Sequence, residues 1–78
     1  VNHAAPIIRE IFQRALQHFA VSIICVHNHP GGDAMPSVED KSFTKKLKEA
    51  GIVMEVKVLD HIIAGDGKFY SFSEASEL

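Results

Sequence analysis

Apolar residues recur at helical spacing through Ile7, Ile8, Ile11, Phe12, Ala15, Leu16 and Phe19, while Arg9, Glu10, Gln13, Arg14 and Gln17 take the other side. The spacing predicts an amphipathic helix over residues 6–19 whose apolar face is core. A short β-branched run, Val21 to Val26, follows and predicts a buried strand. A second helix is predicted over 38–50, with Phe43, Leu47 and Ala50 pointing inward and Gly51 as its stop. Met54, Val56 and Val58 then alternate against Glu55 and Lys57, so Val53 to Leu59 reads as a strand with one wetter face. His61–Ala64 and Lys68–Phe72 predict a hairpin around Gly65-Asp66-Gly67, after which Ser73–Leu78 either caps a short final helix or frays.

The chemistry lies between the first strand and the second helix. His27-Asn28-His29 ends the apolar run, and residues two apart on a strand point to one face, so both imidazoles reach the same point. Pro30, Gly31, Gly32, Asp33 and Pro36 force a loop. Ser37 opens the helix with Asp40 in its first turn, which brings a carboxylate back towards the histidines. Two imidazole nitrogens and one carboxylate, with a fourth position left for water, form the ligand set of a catalytic zinc site. The same ligands also accept Fe, Mn or Ni. Ser37 and Asp40 equally fit a helix N-cap with its third-position partner, a role compatible with metal binding because the helix dipole favours a carboxylate there.

Composition narrows the alternatives. At 78 residues and 46% hydrophobic content the chain is one domain at most, near the lower end for a self-sufficient core. A single cysteine, Cys25, excludes a disulfide framework and any Cys-cluster zinc module, and its place in the apolar strand reads as a small buried hydrophobe. Net charge of −2 and a pI near 6.2 give no nucleic-acid footprint. Lys41, Lys45, Lys46 and Lys48 cluster on the second helix, but Glu39, Asp40 and Glu49 flank them as on a solvated face. No signal peptide and no 18-residue apolar run are visible, so the expected location is cytoplasmic, with no membrane partner. His61 beside Asp60 reads as a strand-start packing residue or as a brace for a metal ligand; His3 and His18 read as exposed, and Asn28 as a loop brace.

His27-Asn28-His29-Pro30, Gly32-Asp33, Pro36-Ser37, Asp40, Leu59-Asp60-His61-Ile62-Ile63, Gly65-Asp66-Gly67 and Tyr70-Ser71-Phe72 resemble the RadC family, a bacterial branch of the JAMM/MPN+ (JAB-type) metallopeptidase-like domains. The resemblance covers essentially the whole chain. It implies an α/β fold of the cytidine-deaminase-like type, a three-layer α-β-α arrangement with a mixed sheet. It also implies a Zn2+ held by His27, His29 and Asp40, with Ser37 as a hydrogen-bonding partner at the reaction centre. Members of the wider group cleave peptide or isopeptide bonds, and RadC-like proteins carry a DNA-repair label.

Two departures from the family pattern are visible. Gly31 stands where most RadC-like sequences have Ser, a change within the loop. More important, the family's general-base glutamate lies on an earlier strand, and the chain is expected to begin after that strand, as a domain with N-terminal strands missing. Glu10 and Glu39 read as surface charges rather than substitutes. Three function classes therefore stand beside one another: a JAMM-type zinc hydrolase acting on a peptide or protein, an MPN-like scaffold module, and a nuclease suggested only by the letters His-Asn-His. The last fails because HNH nucleases spread those residues over a longer element. Deaminase chemistry on the related fold needs a His/Cys/Cys or Cys₃ set, which one cysteine excludes.

Overall fold

The computed structural model describes residues 8–29 and 33–78, in the order α1 (Ile8–Gln17), β1 (Ser22–Asn28), α2 (Val38–Met54), β2 (Lys57–Ala64) and β3 (Phe69–Ser71). The three strands form one mixed sheet in the order β1-β2-β3, β1 parallel to β2 and β2 antiparallel to β3. This is the expected α/β class. The β1-α2-β2 unit carries the chemistry, because a parallel pair needs a crossover and the crossover here is the helix that holds Asp40.

The helical face of the sheet is the core. Phe12 and Ala15 of α1, Leu47 of α2 and Val56 are buried together, with Ile8, Ile11, Ile23, Cys25, Phe43, Ala50 and Val58 packed against them. A second cluster joins Ala34, Ile63 and Phe72, against which Tyr70 and Leu78 pack. On the opposite face of β1, Ile24 and Val26 are exposed. The described residues thus make two layers, helices and sheet; the third layer expected from the resemblance is not among them.

Several boundaries differ from the sequence reading, each for a local reason. Helix α1 ends at Gln17, and the part of the expected helix at residues 6 and 7 lies outside the described residues, as does His3. Phe19 does not join the core: it takes φ 55°, the left-handed turn that closes the helix with Ala20 N donating to Ala15 O (2.9 Å), and its ring is exposed. Leu16 is also largely exposed. Strand β1 runs on to include His27 and Asn28. The loop reading at Pro30, Gly31 and Gly32 lies outside the described residues.

Gly51 does not stop α2. The helix continues to Met54 and closes on Glu55 at φ 58°, with Val56 N donating to Gly51 O (2.9 Å) and Glu55 N to Ile52 O (3.3 Å). That hydrogen-bond pair is a Schellman closure, and it folds the following chain back onto the helix. A Cβ at position 51 would lie 2.6 Å from Val56 O and 3.0 Å from Val58 Cγ2, so glycine is there for close approach. Gly51→Ala, which gains about 1 kcal/mol in an exposed helix, is instead expected to lower stability by roughly 1–2 kcal/mol, because a backbone oxygen cannot step aside cheaply. Denaturant unfolding of the two proteins measures the sign.

Strand β2 accordingly starts at Lys57, not Val53, and runs unbroken through His61 to Ala64. Its pairing with β1 steps from Ile23–Val58 to Ile24–Asp60, so Leu59 is an extra residue, a bulge. The bulge puts Val58 and His61, three apart, on the helical face, where strict alternation would have turned His61 away. The hairpin is as expected: β3 pairs antiparallel with β2, and Gly67 supplies φ 69° in the turn. Residues 73–78 neither fray nor form a regular helix. They coil as successive turns, with Ala75 N donating to Ser71 O and Glu77 N to Phe72 O, and with Leu78 on the Ile63–Phe72 cluster.

Candidate metal centre

Strand β1 delivers His27 to the end of the sheet, His29 follows one residue beyond the strand with its N–H on Ala64 O, and the start of α2 delivers Asp40. One nitrogen of each imidazole and a carboxylate oxygen all lie within 4.8 Å of one another. His27 Nδ1 is 3.1 Å from Asp40 Oδ1, and His29 Nε2 is 3.1 Å from Asp40 Oδ2. Donor atoms held 2.0–2.2 Å from a tetrahedral zinc sit about 3.4 Å apart, close to the two imidazole–carboxylate contacts and inside the 4.8 Å spread of the group. Asp40 is only 5% exposed and His27 8%, so the group is largely out of water.

Each side chain is aimed by a separate contact. Ser37 N donates to Asp40 Oδ2 (2.8 Å) and Asp40 N donates to Ser37 Oγ (3.1 Å), a reciprocal capping box. Burial works against the Asp40 charge, but the two Ser37 contacts and then His27 and His29 outweigh it and hold the carboxyl below its ordinary range. His29 Nδ1 lies 2.8 Å from Asp33 O. A carbonyl only accepts, so Nδ1 carries a proton and the ring is turned with Nε2 towards Asp40. Two imidazole nitrogens and a carboxylate oxygen gathered at one point are a donor set that fits a metal ion.

Ser37, expected at the reaction centre, is the N-cap of α2. Its oxygen accepts from Asp40 N, and the same hydroxyl helps hold the Asp40 carboxyl low. Cys25 packs against the core cluster, and burial pushes its thiol pKa up, so it behaves as the small hydrophobe expected. Glu10, Glu39, His18 and Asn28 are exposed.

Two residues behind the ligands were placed poorly, or not at all, by sequence. His61 is fully buried in mid-strand, not at a strand start. Its Nδ1 is 2.5 Å from Thr44 Oγ1, and that hydroxyl donates to Asp40 O at 2.8 Å. Thr44 has one sequence signal, its position one helical turn after Asp40. Burial and then the neighbouring His27 lower the His61 pKa, which keeps the ring neutral. Beside it, Asp60 accepts from His61 N (2.7 Å), Ser73 N (3.0 Å) and Ser71 Oγ (2.6 Å), so it ties β2 to β3 and the terminal turns rather than facing the metal centre.

Comparison with known proteins places this geometry in a family. The profile of the RadC-like JAB domain matches residues 1–78. The chain is 54% identical over 66 residues to a UPF0758 protein of Shouchella clausii, covering 85% of this chain and 29% of that protein. It is 53% identical over 70 residues to UPF0758 proteins of Pelobacter propionicus and of Geobacter sulfurreducens, covering 90% of this chain and 31% of each. The chain thus spans under a third of the length of these relatives. A match over every residue, carrying the two histidines and the aspartate that the fold brings together, makes this chain a member of the RadC-like JAB domain family.

Proposed function

We propose that this domain binds zinc through His27, His29 and Asp40 and serves a hydrolase that cleaves an amide bond, peptide or isopeptide, in a protein or peptide substrate. The observation that carries the reading is the convergence of His27, His29 and Asp40, whose ligand atoms lie within 4.8 Å of one another around a buried carboxylate. A bound zinc supplies a water with pKa lowered to about 7 and polarises a carbonyl.

The chain's own residues do the rest by position. Asp33 O holds His29 in the tautomer that presents Nε2, and the Ser37 N–H holds Asp40 charged. The Ser37 hydroxyl, at the start of α2 beside Asp40, turns its proton to a substrate oxygen as charge builds there. Neither Glu10 nor Glu39 supplies the proton shuttle: both are exposed, and the glutamate expected from the resemblance is not among these 78 residues. The lysines of α2 are exposed but interleaved with Glu39 and Glu49, which gives a DNA-repair role no basic stripe to work through. No helix among the described residues is long and apolar enough to cross a membrane.

The test is cleavage of a diverse peptide and isopeptide library by full-length protein carrying this domain, with zinc content measured on the same sample. Turnover is expected to vanish with His27→Ala and to fall about 10²- to 10³-fold with Ser37→Ala, the scale of one lost oxyanion donor. Zinc-loaded protein that cleaves no amide bond would turn the reading to an MPN-like scaffold.

A further inference from the structure

The ring of His61 lies between those of Phe72 and His27. Its centroid is 4.9 Å from Phe72 at an interplanar angle of 4°, and 6.1 Å from His27 at 12°, with the edge of Phe43 at 5.6 Å. The hydrogen-bond directions in this layer are fixed. The Thr44 hydroxyl has one proton and spends it on Asp40 O, an acceptor only, so the contact with His61 is Nδ1–H donating to Thr44 Oγ1. His61 Nε2 is then a bare lone pair, buried without a partner among the described residues.

An orphaned buried polar atom costs about 1–3 kcal/mol. Phenylalanine would fill the same stacked slot without that cost, so packing alone does not account for the imidazole. What phenylalanine lacks is the Nδ1–H link to Thr44. Through that link β2 is tied to α2 one turn beyond Asp40, while the same ring forms the wall against which His27 stacks. His61 touches both elements that bring in the ligands.

We infer that His61, with Thr44, is a positioning residue that sets the spacing between His27 on β1 and Asp40 on α2. The inference rests on the metal reading above and adds to it a residue pair outside the ligand set. Thr44 fixes the first turn of α2 against the sheet; the Phe72–His61–His27 stack fixes the plane of the His27 ring. Neither residue donates to the metal.

Cobalt(II) titration of metal-free protein tests this, because its visible absorption bands report ligand geometry and its titration reports affinity. The informative variant is His61→Phe/Thr44→Val. It removes both polar partners together while keeping shape, so its unfolding midpoint without metal is expected at or above that of the wild type. Its cobalt affinity is expected to fall roughly 10- to 100-fold, with altered bands, the usual consequence of losing groups that orient ligands. Thr44→Val alone is expected to move affinity the same way, and Thr44→Ser, which restores the hydroxyl, to return it to within about twofold of the wild type. Wild-type affinity and spectrum in the double variant would reduce His61 to a core filler and overturn the inference, with the metal site left standing. A wild type that takes up neither cobalt nor zinc would remove the metal reading and this inference with it.

Discussion

Purified wild-type protein is expected to carry about one zinc per chain, and the His27→Ala/His29→Ala variant none. Structural zinc sites bind with about 10–16 kcal/mol over four ligands, or roughly 3 kcal/mol each, so removing two imidazoles costs on the order of four powers of ten in affinity. Asp40 alone, one carboxylate already engaged with Ser37 N, does not compensate. Metal analysis by plasma mass spectrometry reads the stoichiometry, and thermal unfolding gives an independent readout. Zinc at a hundred times its dissociation constant stabilises a folded site by about 2.7 kcal/mol. The wild-type midpoint should rise with zinc and fall back with a chelator, while that of the variant stays put. The main core of Phe12, Ala15, Leu47 and Val56 is separate from the two histidines, so the variant is expected to remain folded. Folded wild type that stays metal-free in excess zinc would contradict the site.

Asp40→Ala is expected to produce two losses that a second substitution separates. The carboxylate is both a ligand and half of the capping box on α2, with Oδ2 accepting from Ser37 N and Oδ1 facing His27. Alanine removes both roles, so metal binding should fall by about two powers of ten, one ligand's share. Metal-free stability should drop by roughly 0.5–2 kcal/mol, the range for a lost cap. Asp40→Asn keeps an oxygen for the Ser37 N–H but not the charge. It is expected to recover most of the metal-free stability and little of the metal affinity. Equal metal binding in Asp40→Asn and wild type would remove Asp40 from the ligand set. Equal metal-free stability in Asp40→Ala and wild type would show that the box contributes nothing to the helix.

The candidate ligands were legible in the sequence because each follows from a local rule. Strand spacing continued one residue past β1 brings His27 and His29 together, and a Ser-x-x-Asp helix start directs the Asp40 carboxylate back to its own cap. Errors fell where a local signal had a second meaning. Gly51 looked like a helix stop, yet its missing Cβ admits Val56 O, and the actual stop is Glu55 in a left-handed conformation that nothing in its type announces. Phe19 continued the apolar spacing of α1 but fell two residues past the helix end, where the chain turns its ring outward.

By itself the sequence determined the order of helices and strands, the β1-α2-β2 unit and the residues at its mouth, since periodicity, turn chemistry and capping act over a few residues. Tertiary structure alone decided that Leu59 bulges, that His61 therefore faces the helices, and that Thr44 meets it from seventeen positions away. Those contacts depend on the register between two strands and on how far α2 runs before it closes. Register is fixed by the packing of whole elements, so no window of neighbouring residues contains it.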